Sequence, residues 1–326
     1  SGLLKTAPSK THKNKKKLPA LRIASWNVRT MTAGLSDDLQ QIDAARKTAI
    51  IDAELHRLSI TALQETRLAG NGSLTETNYT FFWQGKKLDD RRELGVGFAV
   101  RNSLLSMIEP PTGGSERILT LRLSTSSGPV NIVTAYAPTL YSNLDVKHQF
   151  YNALDQTIGM LTPSEHTYLL GDFNARVGAE HNTWPTCIGH HGVGKINENG
   201  ERLLELCCNR NLCVTNTYFQ VKQKHRVSWM HPRSRQWHQL DLVITKRELL
   251  NSVRVTRSYH SADCDTDHSL VLSKIILSPK RLHHAKPKGL PKINTARTND
   301  AERIKHFTSF FESNFHNNLS TDVTTK

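Results

Sequence analysis

Polar side chains recur where predicted strands end, and this pattern constrains the fold more than any other feature of the sequence. Apolar stretches such as Ile60-Thr-Ala-Leu63 and Tyr168-Leu-Leu-Gly171 are each followed by carboxylate or amide groups. The residues in these positions are Asn27, Glu65, Tyr136, Asp172, Asn174, Asp241, Asp267 and His268. A sheet holds side chains at strand ends rigidly while the loops beyond leave access, so we predict that functional groups gather there.

The chemistry of this set matches a metal-dependent hydrolase. Taken singly, each residue has an ordinary explanation, with Glu65 as a solvated strand end, Asp241 as a salt-bridge partner and His268 as a surface histidine. Together, four acids, two Asn, one Tyr and one His offer oxygen ligands that suit Mg²⁺ or Mn²⁺. A histidine near a carboxylate suits the activation or stabilisation of an attacking water.

Periodicity along the chain predicts mixed α/β structure. Helical spacing predicts helices at 38–58, 144–161, about 200–210 and 300–318. Strands are predicted at 21–27, 60–64, 79–84, 94–101, 117–124, 129–137, 167–172, 212–216, 226–230, 239–245, 253–259 and 269–277. The arrangement is rich in strands, with helices covering sheets.

The positive charge of the chain lies mostly in its two flanks. The net charge is +14; residues 1–22 carry seven bases and no acid, and residues 279–326 carry nine bases and four acids. We therefore divide the chain into a disordered basic tail at 1–20, a central domain at 21–278, and a basic linker with a short helix at 279–326. Basic flanks suit contacts with nucleic acid and a nuclear address, and a merely solvated tail is the alternative.

A basic segment precedes Asp241 and contains no acid between residues 222 and 235. Its candidate DNA contacts are Lys222, Lys224, Arg226, Trp229, Arg233 and Arg235. We predict a β-hairpin at 222–235 that contacts phosphates and inserts into a groove, with a solvated loop as the alternative.

The cysteines indicate a reducing compartment. There are five, an odd number without regular spacing, which argues against a disulfide framework. Cys187 with His190 and His191, and the adjacent pair Cys207 and Cys208, fit no regular zinc spacing. No apolar run is long enough for a membrane span and no signal-peptide pattern is recognisable, so we expect an intracellular chain without a membrane partner.

Six short motifs follow one another along residues 21–277. They are Ser25-Trp-Asn-Val28, Leu63-Gln-Glu-Thr66, Ala135-Tyr-Ala-Pro138, Gly171-Asp-Phe-Asn-Ala175, Gln239-Leu-Asp-Leu242 and Thr266-Asp-His268. In this order they resemble the motif set of the endonuclease/exonuclease/phosphatase superfamily, which has the deoxyribonuclease-I-like fold. The resemblance implies an α/β (α+β) four-layered sandwich, with two mostly antiparallel sheets packed face to face and helices outside.

The stretch Ser228-Trp-Met-His-Pro-Arg-Ser-Arg-Gln-Trp-His-Gln-Leu-Asp241 resembles more particular members of this superfamily. It is similar to the endonuclease domains of RTE-type non-LTR retrotransposons and to the related proteins called craniofacial development protein 2. The segment 281–311 resembles the linker that leads to the reverse transcriptase in such elements.

The function that this resemblance implies is that of a Mg²⁺-dependent (or Mn²⁺-dependent) endonuclease. It nicks DNA at a target site, leaving 3′-hydroxyl and 5′-phosphate ends, with element RNA or a reverse transcriptase domain as further partners. The alternatives are a phosphatase or deadenylase of the same fold, and a catalytically silent, domesticated nuclear protein that binds DNA or chromatin.

The resemblance also implies which residues hold the metal. Glu65 resembles the principal metal ligand, Asn27 lies beside it, and Asp267 resembles a second ligand or a hydrogen-bond acceptor. Two departures argue against an abasic-site repair enzyme: Arg29 stands where such enzymes usually have an acid, and the sequence after Tyr136 lacks their Asn-rich extension. The Arg29 difference also argues against a second metal.

Catalytic roles follow from the same resemblance. Asp172 resembles the residue that aligns the attacking water, Asn174 the one that holds the scissile phosphate, and Tyr136 a donor to a phosphate oxygen. His268 resembles the active-site histidine, and Asp241 the carboxylate that orients it.

Deleting residues 1–20 tests the role of the basic tail, which carries six lysines. If about three to five of them meet phosphates, the slope of log affinity against log salt flattens by about 3–4. Cleavage at saturating DNA stays nearly constant, because such a tail binds ground state and transition state alike. DNA binding titrated against salt measures this, and an unchanged slope would make the tail a localisation signal or a spacer.

Overall fold

The computed structural model describes residues 20–35, 46–111, 113–282 and 300–318. The chain divides into two units, residues 1–282 and residues 283–326. The predicted tail up to residue 19, and the first part of the helix predicted at 38–58, lie outside the described residues. In the second unit the described part is the helix α4 (Ala301–Asn318). None of the described helices is both long and apolar enough to cross a membrane.

The first sheet of the larger unit has seven strands. They are β1 (Ala20–Asn27), β2 (Ile60–Gln64), β3 (Asn71–Thr75), β4 (Tyr79–Gln84), β5 (Val96–Arg101), β14 (Val253–Tyr259) and β15 (Leu270–Ile276). Their order across the sheet is β14-β15-β1-β2-β5-β4-β3. All neighbours are antiparallel except β1 and β2, which run parallel.

The second sheet has six strands in the order β10-β13-β9-β8-β7-β6. They are β6 (Ile108–Glu109), β7 (Ile118–Thr125), β8 (Gly128–Tyr136), β9 (His166–Asp172), β10 (Leu212–Val214) and β13 (Asp241–Lys246). Here too one pair is parallel, namely β8 with β9. A separate small hairpin joins β11 (Trp229–Met230) to β12 (Trp237–His238).

Among the described residues of the larger unit, three helices cover the outer faces of the two sheets, which gives four layers. They are α1 (Lys47–Glu54), α2 (Leu144–Met160) and α3 (Glu198–Asn209). The core between the sheets contains Ile23, Ile60, Phe98, Leu121, Ile132 and Leu170. The outer cores contain Trp26, Ile51, Leu55 and Phe81 beside α1, and Phe150, Leu154, Leu169 and Leu203 beside α2 and α3. The predicted four-layered α/β sandwich is confirmed.

Side-chain alternation explains how a strand serves two cores at once. In β1, Ile23 belongs to the core between the sheets, whereas Trp26 belongs to the outer core that α1 covers. Successive residues of a strand face opposite sides of the sheet, so an apolar run buried on both faces is what such a strand requires. Helix α3 starts where the side chain of Asn197 accepts a hydrogen bond from Gly200 N at 2.8 Å.

The parallel pairs bring the polar strand ends to one edge of the sandwich. Asn27 at the end of β1 pairs with Gln64 at the end of β2, and Tyr136 at the end of β8 pairs with Asp172 at the end of β9. Because β13 is antiparallel to β9, its first residue Asp241 pairs with Asp172 at this same edge. The residues that end each strand therefore meet as one polar layer.

The structure corrects the predicted hairpin at 222–235. The hairpin spans Trp229 to His238, and residues 223–225 form a short 3₁₀ turn before it, so Lys222, Lys224 and Arg226 lie outside it. Each of its two strands is only two residues long, which leaves no alternation to detect. Strands β3, β6 and β12 are further elements that the periodicity did not predict.

Replacing Asp52 by Ala tests how α1 is fixed to the first sheet. The buried Asp52 carboxylate accepts hydrogen bonds from Asn78 N at 3.0 Å, Tyr79 N at 2.8 Å and Asn78 Nδ2 at 2.7 Å. Without this carboxylate the buried Tyr79 amide lacks its hydrogen-bond acceptor, so we expect the free energy of unfolding to fall by about 1–3 kcal/mol. Denaturant unfolding measures this cost. The exposed Glu54→Ala in the same helix is the control and should stay within about 0.5 kcal/mol of wild type.

Candidate active site

Carboxylate and amide groups meet where β1, β2 and β9 end. The Asn27 amide nitrogen donates to Glu65 Oε2 at 3.2 Å and to Asp172 Oδ2 at 3.1 Å, so it bridges the two carboxylates. The Tyr136 hydroxyl donates to Glu65 Oε2 at 3.2 Å. Burial, reinforced by the charges of Asp172 and Glu65, raises the pKa of Tyr136, so this hydroxyl remains a proton donor at neutral pH.

Unusual backbone conformations place two of these side chains. Glu65 has φ 56° and Asn174 has φ 46°, in the left-handed region that few residues other than glycine adopt. Such conformations are costly for a residue like glutamate and cluster at functional sites. Gly171 lets β9 lie close to β8, because a Cβ atom there would lie 2.0 Å from the Ala135 carbonyl oxygen. These features fix the positions of Glu65, Asp172 and Asn174.

A histidine lies between two buried carboxylates on the other side of the site. His268 Nδ1 is hydrogen-bonded to Asp241 Oδ2 at 3.0 Å, and His268 Nε2 lies 3.8 Å from Asp172 Oδ2. Burial acts to lower the pKa of His268, but the charges of Asp241 and Asp172 outweigh it and raise that pKa well above its ordinary value. The imidazole is therefore protonated at neutral pH, with Nε2 facing Asp172.

The three ligand-type groups of Asp172, Asp241 and His268 lie within 4.8 Å of one another, close enough to suggest a metal site. In the structure His268 Nδ1 is engaged by Asp241, and His268 Nε2 faces the Asp172 carboxylate, so the histidine bridges the two acids. Burial raises the pKa of Asp172, whereas the charge of His268 lowers it. The protonated histidine thus stabilises the two buried carboxylates.

The loop that carries His268 is fastened at several points. Trp26 Nε1 donates to the His268 carbonyl at 3.0 Å, and Thr266 Oγ1 donates to the Asn27 carbonyl at 2.8 Å. Trp229 Nε1 donates to Asp267 Oδ2 at 2.9 Å, which ties the β11–β12 hairpin to the same loop. Asp267 is thereby held at the rim of the site as a hydrogen-bond acceptor.

A pocket of about 460 Å³ opens over these groups. Asn27, Glu65, Tyr136, Asp172, Asn174, Asp267, His268 and Trp229 line it, so the structure brings together all but one of the predicted catalytic and metal residues. The exception, Asp241, is fully buried behind His268.

The pocket also has lining residues that were not among the predicted catalytic or metal residues. They include Arg29, Tyr141, Arg176, Asn197, His231, His238 and Leu240. Arg67 contributes from behind, where its guanidinium forms an ion pair with Glu65. Arg67 and Arg176 each lie two residues after a motif residue, and that spacing was the one signal in the sequence that could have indicated them.

The predicted DNA contacts do not form a single patch. Trp229 lines the pocket, whereas Arg233 and Arg235 are exposed in the turn between β11 and β12. Arg226 donates through Nε to the Val221 carbonyl at 3.0 Å, and Lys224 lines a neighbouring cavity.

The donor set suits a hard divalent cation. Glu65 and Asp172 present carboxylate oxygens towards a common amide, and the carboxylate of Asp267 lies at the rim of the same pocket. Oxygen donors of this kind are those that Mg²⁺ and Mn²⁺ prefer. Asn27 contributes as a donor that orients the carboxylates, since its own oxygen accepts from Arg29 N at 2.9 Å.

Comparison with known proteins identifies the class. Residues 24–268 match the Endonuclease/Exonuclease/phosphatase family, and the chain belongs to that family. Membership supports a hydrolytic activity of the nuclease or phosphatase type.

Curated relatives are similar in sequence to most of this chain. The chain is 28% identical over 258 residues to craniofacial development protein 2 of Bos taurus, covering 79% of this chain and 41% of that relative. It thus spans about two fifths of the length of the curated relatives that it matches.

Solved structures with the same fold include a retrotransposon endonuclease domain and a phosphatase. The endonuclease domain of TRAS1, a telomere-specific non-LTR retrotransposon, has a TM-score of 0.54 and 14% identity, covering 79% of this chain and 99% of that domain. The 3′ phosphatase NExo from Neisseria, bound to a product DNA hairpin, has a TM-score of 0.52 and 15% identity, covering 78% of this chain and 99% of the other.

Replacing Glu65 by Gln tests the metal assignment directly. The substitution keeps the shape of the side chain but removes its charge, so we expect Mn²⁺ affinity to fall at least tenfold. Calorimetric titration of Mn²⁺ into the protein measures this. Glu93→Gln, at an exposed carboxylate outside the pocket, is the control and should bind like wild type. Equal affinity in Glu65→Gln and wild type would remove Glu65 as a ligand.

Proposed function

We propose that this chain is a Mg²⁺-dependent endonuclease that nicks DNA and leaves 3′-hydroxyl and 5′-phosphate ends. The observation that carries the proposal is the convergence of Glu65, Asp172 and a protonated His268 on one pocket, with Tyr136 and Asn174 as neutral donors. A phosphodiester is an anion, so its hydrolysis requires an oriented water and donors where negative charge develops.

Asp172 is the residue placed to orient the water. It is almost fully buried, it accepts from Asn174 N at 3.0 Å and from Asn27 Nδ2 at 3.1 Å, and it lies opposite His268 Nε2. These partners hold the carboxylate in one orientation. The imidazolium of His268 donates its Nδ1 proton to Asp241, and its Nε2 proton is left to donate to a phosphate oxygen, while the carboxylate of Asp172 can accept a hydrogen bond from the water.

The neutral donors complete the phosphate site. Tyr136 keeps its proton because its pKa is raised, and it can turn from Glu65 towards a phosphoryl oxygen. Asn174 Nδ2 donates one hydrogen to the Ala137 carbonyl at 3.0 Å, which leaves its second hydrogen for the substrate.

Glu65 would hold the Mg²⁺ ion, with Asn27 keeping its carboxylate in place. When bound, the cation would neutralise part of the negative charge that develops during hydrolysis of the phosphodiester. The ion pair between Arg67 and Glu65 helps to hold that carboxylate in its orientation towards the site.

Several observations support DNA as the substrate and a retroelement origin. The fold neighbours include a retrotransposon endonuclease domain and an enzyme bound to a DNA product, and Arg233 and Arg235 extend from the hairpin beside the pocket. In this proposal the chain acts in the nucleus, and the 3′-hydroxyl primes reverse transcription with element RNA and a reverse transcriptase domain as partners.

The rival functions are a phosphatase or deadenylase on the same fold, and a silent protein that binds DNA or chromatin. The complete set of polar groups argues against silence. The phosphatase alternative is favoured by the fold that this chain shares with the 3′ phosphatase NExo.

One experiment separates the three functions. Supercoiled plasmid is incubated with the chain with and without Mg²⁺, beside a phosphoinositide phosphatase assay, and the ends are labelled to identify 3′-hydroxyl groups. We expect nicking that needs Mg²⁺, and at least a 10²-fold loss in Glu65→Gln. Phosphoinositide hydrolysis without nicking would support the phosphatase, and DNA binding without either activity the silent protein.

Variants of His268 and Asp241 test whether the two side chains act as one unit. We expect at least 10²-fold slower nicking in His268→Ala and a smaller loss in Asp241→Asn, while the double variant is little worse than His268→Ala, because residues that act as a unit are not additive. Since His268→Ala leaves buried carboxylates without their counter-charge, thermal unfolding is measured beside the nicking rate. Fully additive losses in folded variants would mean that the two residues act separately.

A further inference from the structure

A second, larger cavity lies next to the catalytic pocket, and the proposed mechanism does not use it. Its volume is about 1240 Å³, above the roughly 300–1,000 Å³ of most small-molecule sites. The hairpin stands between the two: Trp229 and His231 line the catalytic pocket, whereas Gln236 and Trp237 line the second cavity. Its size indicates a ligand larger than a single metabolite.

The lining of the second cavity is strongly basic. Arg176, Lys195, Lys224 and Arg257 line it, and among the residues that the structure describes no aspartate or glutamate does. Within the described part of the chain none of these four cations forms an ion pair with a carboxylate. Four unneutralised cations around one concave surface favour a ligand with several negative charges.

The pKa values of two histidines in the cavity are lowered by burial and by the positive charge of its lining. After burial, the nearby charge of Arg257 is the next largest influence that lowers the pKa of His225. The charge of Arg176 acts in the same way on the pKa of His238. Both histidines line the cavity and stay neutral at physiological pH, so its positive potential comes from the lysines and arginines.

Aromatic side chains are interleaved with these cations. Trp237 is 43% exposed, and an edge-to-face contact with His260 at 5.0 Å between ring centroids holds it in place. The Arg257 guanidinium lies 4.3 Å from the centre of the Tyr259 ring and lines the same cavity as Trp237. A large exposed indole and an arginine without a carboxylate partner among the described residues, both in one cavity, are suited to a base and its phosphate.

The cavity adjoins the catalytic pocket. Arg176 and His238 line both, so a chain of phosphates that leaves the scissile position past Arg176 would reach the second cavity. The cavity lies on the other side of the hairpin from the pocket that Glu65 and Asp172 line.

We propose that this cavity binds an unpaired nucleic-acid strand adjacent to the cleaved phosphate, with Trp237 stacking on a base and Arg257 and Lys224 contacting phosphates. The assignment of its position relative to cleavage rests on the proposed function. Bases within a duplex are already stacked on their neighbours, so an indole inside a concave cavity is reached only by bases that are unpaired or displaced. The chain therefore prefers DNA with a single-stranded segment beside the nick site over a continuous duplex.

The test measures binding of a fluorescent single-stranded oligonucleotide in EDTA, where no cleavage occurs. We expect Trp237→Ala to bind about 5- to 150-fold more weakly, the range of one lost base stack, and Trp237→Phe to recover most of the affinity. Trp237→Ala leaves the salt dependence unchanged. Arg257→Gln instead flattens the log affinity–log salt slope by about 0.7, the value for one phosphate contact on a single strand. Arg254→Gln, at an exposed arginine of the same strand β14, is the matched control and should bind like wild type.

Single-stranded DNA and single-stranded RNA are compared as separate probes, and tighter binding of one identifies the source of the strand. Heparin serves as a polyanion without bases. Wild-type affinity in folded Trp237→Ala, or equal loss of heparin and oligonucleotide binding in that variant, would overturn the proposal. Because binding is measured without cleavage, a chain that fails to nick plasmid but shows these losses refutes the endonuclease and keeps the strand-binding cavity.

Discussion

Two pairs of parallel strands, β1 with β2 and β8 with β9, determine where the chemistry of this chain lies. In a sheet of otherwise antiparallel strands, carboxyl ends alternate between the two edges, and only a parallel pair brings two of them together. Each sheet has one such pair, and their ends face each other across the sandwich. The inward-facing positions are apolar along the middle of these strands and polar at that edge, so the site is the terminal layer of the core between the sheets.

Burial of charge in this layer makes its parts depend on one another. Asp241 is fully buried and Asp172 nearly so, and an isolated carboxylate there would be very costly. The His268 imidazolium offsets that cost, and Asn27 Nδ2 and Asn174 N donate hydrogen bonds to the Asp172 carboxylate. The same arrangement that makes the site stable also fixes which atom carries the proton, so stability and reactivity have one physical origin.

The sequence predicted the strands and their polar ends, because alternation with a period of two is local information. Which strand ends meet cannot be read from a local pattern. Asn27 and Asp172 are 145 residues apart, and their contact depends on strand order and register. The resemblance of the ordered motifs to a known family predicted that these residues share one site. Arg67 was not predicted, because the sequence pattern does not show the left-handed backbone at Glu65 and Arg67. That backbone conformation brings the Arg67 side chain against the Glu65 carboxylate. The hairpin was misplaced because two-residue strands leave no period.

The hairpin links catalysis to the surroundings of the site. Trp229 pairs with His268 as an isolated bridge, and Ser228 Oγ accepts from Asp241 N at 3.1 Å, so the base of the hairpin contacts both members of the histidine–aspartate pair. Its other strand carries Trp237 and His238 into the basic cavity. Because two-residue strands hold few hydrogen bonds of their own, the position of the hairpin depends on what packs against each face. A nucleic-acid strand bound on the cavity side would therefore stabilise the hairpin in its position against His268. Binding free energy gained away from the scissile phosphate would in this way help to position the catalytic histidine.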